Sequence, residues 1–229
     1  MSAVAIIPAR GGSKRLPRKN VIDFLGRPII AYTIDAAVQS GCFARVVVST
    51  EDKEIAATAQ KLGAVVDHRS PALATDAATV VEVCLDLLDR EAKAGRSWSV
   101  MACLYATAPL RTAQDVRATV SLLKPEICDF AMAVTSYDHS PHQALKFAAD
   151  GHLAPMFPDL IELRASDLPA LRADNGSTYA VNVAEFRRRR TFYGPTLRGY
   201  EMPRERSIDI DTRDDLDHAL RAAQAISKA

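Results

Sequence analysis

Five cationic side chains lie within ten residues near the N-terminus, on either side of two adjacent glycines. The cations are Arg10, Lys14, Arg15, Arg18 and Lys19. No acidic residue precedes Asp23 to neutralise them. Because glycine lacks a Cβ and permits positive φ, Gly11 and Gly12 would let successive backbone N–H groups converge on phosphate oxygens as an anion nest. The segment therefore indicates a polyphosphate site, and a basic surface turn is the alternative.

Two carboxylates, Asp209 and Asp211, stand two positions apart near the C-terminus. On a β-type segment alternate side chains point to the same face, so the two charges repel each other unless a cation lies between them. Mg²⁺ is commonly held by one or two carboxylates plus substrate phosphates, so the pair predicts a metal site beside a nucleoside triphosphate. In the alternative interpretation Asp211 belongs to the N-cap region of the last helix and Asp209 is merely exposed.

Composition excludes several other classes of protein. The 29 basic and 28 acidic residues leave a net charge of +1, whereas a nucleic-acid binder usually carries a strong positive excess. The four cysteines form no C-x-x-C pair and the five histidines no H-x-x-x-H pair, which argues against a disulfide framework or a zinc site. Neither a signal peptide nor a membrane span is visible, so we expect a cytoplasmic protein without a membrane partner.

Apolar strands and amphipathic helices alternate along most of the chain. Strands are predicted at 3–7, 45–49, 64–67, 99–105, 130–135 and 179–183. Helices are predicted at 29–40, from a cap at Thr50 to 62, at 79–94, at 112–123, and from a cap at Thr212 to 226. Strand–helix alternation predicts parallel pairing with right-handed crossovers, hence a three-layer, Rossmann-like α/β fold with a mostly parallel sheet. The length fits a single domain, 1–229.

The alternation stops at about 137–172, a stretch that holds four prolines and little periodicity. It also carries apolar side chains such as Leu145, Phe147 and Phe157, too many for a purely solvated loop. We predict an excursion from the sheet that serves as a dimerisation or lid element, and hence a homodimer. A flexible surface loop is the alternative.

The motifs at both ends of the chain resemble those of the cytidylyltransferases that activate acidic sugars such as sialic acids. P-A-R-G-G-S-K-x-x-P-x-K-N at 8–20 resembles the family's nucleotide signature, and S-I-D-I-D-T at 207–212 its metal motif. The segment at 69–76 is similar to the loop by the nucleotide base. L-P at 168–169, N-G-S-T-Y at 175–179 and F-Y-G-P-T at 192–196 are similar to elements near the sugar. The resemblance covers nearly the whole chain and implies the family's nucleotidyltransferase fold.

Different segments of this sequence resemble two different branches of that family. L-Y-A-T-A-P-L-R at 104–111 and P-H-Q-A-L at 141–145 resemble the branch that activates pseudaminic acid. D-N-G-S-T-Y at 174–179 is nearer to the sialate form. The acceptor sugar stays open between them.

The resemblance implies an Mg²⁺-dependent transferase in which the anomeric hydroxyl of an acidic nine-carbon sugar attacks the α-phosphate of CTP and releases pyrophosphate. Nucleotide binding would fall to Arg10, Gly11, Gly12, Ser13, Lys14, Lys19, Asn20, Arg69 and Asp76. The sugar would meet Tyr105, Thr107, Arg164, Asn175, Tyr179, Phe192 and Tyr193. Lys19, Arg10 and Asp211 would be catalytic, with the metal on Asp209 and Asp211. The alternatives are activation of an eight-carbon acid (KDO), use of another nucleoside triphosphate, and a non-catalytic nucleotide sensor.

Overall fold

Short apolar segments form one seven-stranded sheet, and amphipathic segments between them form helices. This computed structural model describes residues 2–227; Met1, Lys228 and Ala229 of the predicted domain lie outside that range. The strands are β1 (Ala3–Pro8), β2 (Asp23–Phe24), β3 (Arg27–Pro28), β4 (Arg45–Thr50), β5 (Val65–His68), β6 (Val100–Leu104), β7 (Phe130–Thr135), β8 (Leu145–Phe147), β9 (Leu153–Pro155), β10 (Ala173–Asn182) and β11 (Leu197–Glu201). The helices are α1 (Ile29–Ser40), α2 (Lys53–Lys61), α3 (Val80–Lys93), α4 (Ala113–Ser121), α5 (Val183–Arg189) and α6 (Arg213–Ile226).

The strand order of the main sheet is β11-β7-β10-β6-β1-β4-β5. β1 pairs in parallel with β4 and β6, β4 with β5, and β11 with β7. The exception is β10, which runs antiparallel to both β6 and β7. β10 follows the excursion rather than a crossover helix. It therefore starts at the end of the sheet where β7 finishes and runs in the opposite direction. The sheet is therefore mixed but mostly parallel.

Side chains on the two faces of the sheet build two apolar layers. Ile7 packs with Ile34 of α1 and Val116 of α4, whereas its neighbour Ile6 packs with Leu87 of α3 and Phe186 of α5. Successive strand side chains point to opposite faces, so one short apolar strand anchors helices on both sides. The predicted three-layer α/β architecture is confirmed.

Threonine caps set the starts of three helices. Thr79, Thr112 and Thr212 each accept a hydrogen bond from the backbone N–H three residues on, and a carboxylate at that position bonds back to the threonine N–H. The cap predicted at Thr212 is confirmed. The cap predicted at Thr50 is wrong, because Thr50 is the last residue of β4 and Asp52 accepts from the N–H groups of Glu54 and Ile55.

The excursion leaves the main sheet after β7 and returns at β10, with Thr135 and Ala173 paired across its base. Within it β8 and β9 form a separate antiparallel hairpin. Phe147 is 79% exposed, and Leu145 and Leu153 are more than half exposed. The hairpin thus presents apolar side chains to its surroundings. Its role in dimerisation stays a prediction.

Candidate active site

A third apolar cluster holds the two ends of the chain together. Leu16 of the basic loop packs with Phe24, with Ile208 and Ile210 before α6, and with Leu216 in α6. The burial of these large apolar groups stabilises the contact by roughly 2 kcal/mol for each side chain. The basic loop and the Asp209–Asp211 segment are therefore held side by side, although some 190 residues separate them in sequence.

The first cavity, of about 290 Å³, opens where β1 and β6 end. Its lining includes Arg10, Ser13, Lys14 and Lys19 from the basic loop, and Thr107 after β6. The chain crosses to one face of the sheet after β1 and comes back from the other face before β6. Ligands of open α/β sheets bind at such a switch point, outside the carboxyl ends of the strands.

The basic loop is fixed by a hydrogen bond within the loop and by ion pairs to the start of α2. The Asn20 side chain donates to the Arg10 carbonyl over 2.8 Å. Arg18 has a left-handed backbone with φ 59° and donates to Asp52 over 2.5 Å and to Glu54. Arg18 therefore anchors the loop to the start of α2 and does not line the cavity.

The predicted anion nest is not formed in this structure. Among the described residues, positive φ angles occur elsewhere and not at Gly11 or Gly12. The Gly11 N–H donates to Glu51 Oε1 over 2.7 Å. Gly11 is required for a different reason, because a Cβ there would lie 2.6 Å from Asp52 Oδ2. Neither glycine lines the first cavity, so the loop meets that cavity through other residues such as Arg10, Ser13 and Lys14.

Four cations of the basic loop converge in pairs on two carboxylates. Arg10 and Lys14 lie 2.6 and 2.5 Å from Asp76. Hydrogen bonds from Lys14 and then Arg10 hold the pKa of Asp76 below its usual value. These exposed pairs are weak, so an incoming polyphosphate can displace the carboxylate at little cost.

The second pair of cations meets Asp211. Lys19 Nζ and Arg15 Nη2 each lie 2.6 Å from an oxygen of that carboxylate. Burial acts to raise the pKa of Asp211, but the hydrogen bond and charge of Lys19, with the charge of Arg15, lower it overall. Asp211 therefore stays ionised and keeps Lys19 directed into the first cavity.

Arg69 forms a wall of the first cavity. The side chain is 7% exposed and donates to the Ser49 carbonyl over 2.7 Å. Burial lowers the pKa of Arg69. It also donates to the Leu73 carbonyl, which fixes the turn that leads to Asp76. Asn20, Arg69 and Asp76 are thus brought to the same cavity as the basic loop, as the sequence predicts.

The second cavity, of about 550 Å³, adjoins the first at Tyr105, which lines both. Its wall comes from the two ends of the excursion and from the segment before α6, including Asp174, Tyr179 and Asp209. Burial raises the pKa of Tyr105. Its phenol therefore stays protonated, as a hydrogen-bond donor, at the junction of the two cavities.

Asp209 is half-buried and one of its carboxylate oxygens is fully enclosed, which contradicts the alternative that it is merely exposed. Segment 207–211 is not a strand, yet Ile208 and Ile210 point into the core and leave Asp209 and Asp211 on the other side. Burial, with the charge of Asp211, raises the pKa of Asp209, while the Thr107 hydroxyl and Lys19 oppose the shift. Within residues 2–227, Asp209 Oδ1 is buried without a hydrogen-bond partner.

That unpartnered oxygen fits a hard cation. An orphaned carboxylate oxygen next to a second carboxylate is the kind of donor set that Mg²⁺ accepts. Over the described range, no group of three or more acidic, histidine or cysteine side chains converges as a metal cluster. A cation here would therefore draw its remaining ligands from water and substrate oxygens.

Two tyrosine hydroxyls converge on Asp174: Tyr179 of β10 lines the second cavity with it, whereas Tyr193, in the loop before β11, lines neither cavity. Tyr179 donates to both carboxylate oxygens over 2.9 Å, and Tyr193 donates over 2.5 Å. The bond to Asp174 raises the pKa of Tyr193 to about 12. Sequence reasoning assigned both tyrosines to the sugar pocket but missed Asp174, whose position in a motif gave no sign of its partners.

Three other predicted sugar contacts have different surroundings. Asn175 lines the second cavity, but its amide already donates to Ser207 Oγ over 3.1 Å. Phe192 is buried in the core, with its ring 5.0 Å from Tyr179 and 4.9 Å from Phe186, and lines neither cavity. Arg164 is exposed in the excursion and also lies outside both cavities. Within one chain the structure does not bring Phe192 or Arg164 to the site.

Sequence reasoning also missed the role of Arg111. The side chain is 3% exposed and donates to Thr33 Oγ1 over 2.6 Å and to the carbonyls of Ser177 and Tyr105. Burial lowers its pKa to about 10. Arg111 thus joins α1, β10 and the end of β6, and so positions Tyr105. A lone arginine in an apolar segment is the only signal the sequence offered.

Comparison with known proteins places this chain in a family. The model of a family described as cytidylyltransferase matches residues 4–224. The chain belongs to the cytidylyltransferase family. It is 34% identical to the pseudaminic acid cytidylyltransferase of Campylobacter jejuni, over 96% of this chain and 95% of that protein. It is 35% identical to the CMP-N,N'-diacetyllegionaminic acid synthase of Legionella pneumophila, over 93% of this chain and 92% of that protein.

A solved structure supports the fold of this cytidylyltransferase. CMP:2-keto-3-deoxy-manno-octonic acid synthetase, determined in complex with CTP, superposes with a TM-score of 0.70 over the whole of both chains. The identity is 16%, so the likeness concerns the fold alone. In the described part of the chain, none of the helices has the length and apolar character that a membrane crossing requires.

Proposed function

We propose that this cytidylyltransferase transfers CMP from CTP to the anomeric hydroxyl of a nonulosonic acid, a nine-carbon α-keto acid sugar, with release of pyrophosphate. One observation carries the proposal: a basic cavity and a larger polar cavity meet at Tyr105, next to Asp209 and Asp211. Two substrates bound there would have their reacting atoms at the junction. The similarity to the two nonulosonate enzymes supports the choice of acceptor.

The nucleotide binds in the first cavity in this proposal. The triphosphate is held by Arg10, Ser13, Lys14 and Lys19. Arg10 exchanges its ion pair with Asp76 for one with a phosphate oxygen. Phosphoryl-type transfer depends mainly on in-line positioning and on neutralising charge that builds on the phosphate oxygens. Lys19 is best placed for the leaving pyrophosphate, because Asp211 already directs its ammonium group into the cavity.

Asp209 and Asp211 hold Mg²⁺ in this proposal. When bound, the ion would supply charge neutralisation at the phosphates and lower the pKa of the attacking hydroxyl. Asp209 contributes the buried oxygen that lacks a partner, and Asp211 the ionised carboxylate at the edge of the first cavity. The Thr107 side chain, just after β6, forms a hydrogen bond with the Asp209 carboxylate and holds it in place.

The acceptor binds in the second cavity. Tyr105 and Tyr179 present aromatic surface to the sugar, and Asn175 fixes the wall beside them. Tyr193 acts from outside the lining, through its hydrogen bond to Asp174. Phe192 supports that wall from the core, and Arg164 reaches an acceptor only across a subunit boundary. We also propose a cytoplasmic homodimer formed through the exposed apolar hairpin of the excursion.

Pyrophosphate release with CTP and a panel of sialic, legionaminic and pseudaminic acids tests the function. We expect turnover with at least one of these acids and little with ATP, GTP or UTP. Turnover with the eight-carbon acid KDO alone, or with another nucleotide, would assign the chain to a different sugar nucleotidyltransferase. Tight CTP binding without pyrophosphate release would identify a nucleotide sensor instead.

A further inference from the structure

The chemistry of the proposed acceptor fixes where its carboxylate must bind. In a cyclic α-keto acid sugar the anomeric carbon carries both the reacting hydroxyl and the carboxylate. The carboxylate therefore lies two bonds from the reacting oxygen and must sit in the second cavity, next to Asp209. This step depends on the proposed function.

Acidic groups outnumber basic ones on the lining of the second cavity. Its carboxylates are those of Asp138, Asp174, Asp209 and Asp215. In the described part of the chain, Arg204 is the one permanently cationic side chain on that lining, and the exposed His218 is the other basic group. Within one chain, Arg204 is therefore the group on this lining that attracts the carboxylate of an acidic sugar, whereas the aspartates repel it.

The backbone around Arg204 is held rigidly. Arg206 is bound to the buried carboxylate of Asp115, and Ser207 Oγ accepts from Asn175 while it donates to the Pro203 carbonyl over 3.0 Å. Two arginines in the same turn therefore have different surroundings: Arg206 points into the fold and Arg204 into the cavity. A fixed backbone is the support that a recognition residue needs.

Arg204 already holds a carboxylate. It forms an ion pair with Asp138, at the start of the excursion, and the two side chains are 47% and 56% exposed. Exposed ion pairs contribute little net stability, so another carboxylate can replace Asp138 cheaply. A guanidinium also presents a planar fork that matches a carboxylate in two hydrogen bonds.

The geometry points to Arg204 as the residue that binds the acceptor's carboxylate, with Asp138 as the group that occupies it until the sugar arrives. Arg204 thereby determines specificity for acidic over neutral sugars. Arg164 lines neither cavity in the single chain, so the assignment to Arg204 does not depend on it.

Steady-state kinetics with an accepted nonulosonic acid and its C1 carboxamide test this assignment. Arg204→Ala should raise the KM for the acid about tenfold or more, the loss typical of a charge-assisted pair, and leave the KM for CTP unchanged. The carboxamide should be a poor acceptor for the wild type and no poorer for the variant. Arg204→Lys should restore part of the lost affinity.

Two further variants test the assignment: one should lower the KM for the acid, and the other should leave it unchanged. Asp138→Asn should lower the KM for the acid by about two- to fivefold, since it removes the competing carboxylate. Arg187→Ala is the matched control, because Arg187 also forms an exposed ion pair, with Asp89, but lines neither cavity. Its KM values should match the wild type.

The assignment would be overturned if Arg204→Ala raised the KM for the acid and for the carboxamide equally. It would also be overturned if Arg204→Ala or Arg204→Lys, with a wild-type melting curve, left the KM for the acid unchanged. A selective loss of the acid in Arg164→Ala would overturn it as well. If the wild type turns over none of the acids, the proposed function itself fails and takes this assignment with it. Turnover of the acids with unchanged Arg204 variants leaves the proposed function standing and removes only this inference.

Discussion

Lys19 Nζ lies 2.6 Å from Asp211 Oδ1, in a pair that joins positions 192 residues apart in the sequence. Lys19 is 17% and Asp211 32% exposed, so the pair is shielded more than the other pairs of the basic loop. It connects the basic loop to the Asp209–Asp211 pair and keeps the ammonium group at the edge of the first cavity.

Lys19→Ala should lower kcat by about a hundredfold or more, because it removes a fixed cation from the charge that develops on the phosphates. The pyrophosphate-release assay measures this directly. Lys61→Ala, an exposed lysine at the end of α2, is the control and should behave as the wild type. Turnover of the Lys19 variant within a few-fold of wild type would contradict the proposed mechanism.

Removal of divalent cations should abolish turnover, and added Mg²⁺ should restore it. Asp209→Asn should weaken binding of Mn²⁺, observed by paramagnetic resonance without any substrate turnover. Asp214→Asn, at an exposed position in the first turn of α6, is the control and should bind the ion normally. Full activity in EDTA would remove the metal from the mechanism.

Gly176→Ala should reduce both stability and activity. Gly176 has φ +65°, and a Cβ there would lie 2.8 Å from Asp209 Oδ2. We expect a loss of about 1–3 kcal/mol in the free energy of unfolding, together with displacement of the carboxylate. Gly151→Ala is the control, because Gly151 has a similar positive φ and nothing within 4 Å of the added Cβ. If the two variants lose the same activity, the close approach to Asp209 is irrelevant.

Protonation of Asp115 should destabilise the fold in acid. Burial acts to raise the pKa of Asp115, but hydrogen bonds from Arg206 and Thr112 outweigh it and lower the pKa below its unfolded value. A group with a lowered folded pKa contributes its stability above the unfolded pKa, near 4, and loses it as the pH falls through the folded pKa. The free energy of unfolding should therefore fall as the pH drops below about 4.

Asp115→Asn separates this contribution from the rest. The variant should be less stable by about 1–3 kcal/mol at neutral pH and should show a flatter pH dependence in denaturant titrations. Glu185→Gln is the control: hydrogen bonds from Arg188 lower the pKa of Glu185 to about 2, yet these ion pairs are exposed and screened. An Asp115 variant with the acid sensitivity of the wild type would assign the destabilisation to other carboxylates.

Phe147→Asp should convert a dimer to a monomer, if the exposed hairpin is the interface. A charge placed in the middle of an apolar interface costs several kcal/mol, because it is left without a partner. Size-exclusion chromatography with light scattering measures the mass. Ile127→Asp, at an apolar position 58% exposed outside the excursion, is the control. A wild-type protein that is monomeric at all concentrations would contradict the prediction.

Local chemistry made much of this fold predictable. Helix starts at Thr79, Thr112 and Thr212 depend on residues within one turn, and the helix at 29–40 was placed correctly because its apolar period is regular. The direction of β10 and the existence of β11 were not predictable, because both follow from pairing with distant strands.

The site was predictable where a motif carried its own chemistry. The cations of the basic loop and the Asp209–Asp211 pair could be recognised from residue type and spacing alone. The contacts of Asp174 and Arg111, and the burial of Phe192, arise only when separate segments come together. Nothing in the local sequence distinguishes Arg204, which enters the second cavity, from Arg206, which points into the fold.

The antiparallel direction of β10 has a consequence for how such proteins diversify. Because Thr135 and Ala173 are neighbours across β7 and β10, the excursion begins and ends at one point on the rim of the sheet. The length and sequence of the excursion can change without any change in the strand order of the main sheet. The stems that carry Asp138 and Asp174 line the cavity proposed for the acceptor and would change with it. Substitution of one contiguous segment would then alter the acceptor preference and leave the proposed nucleotide site unchanged.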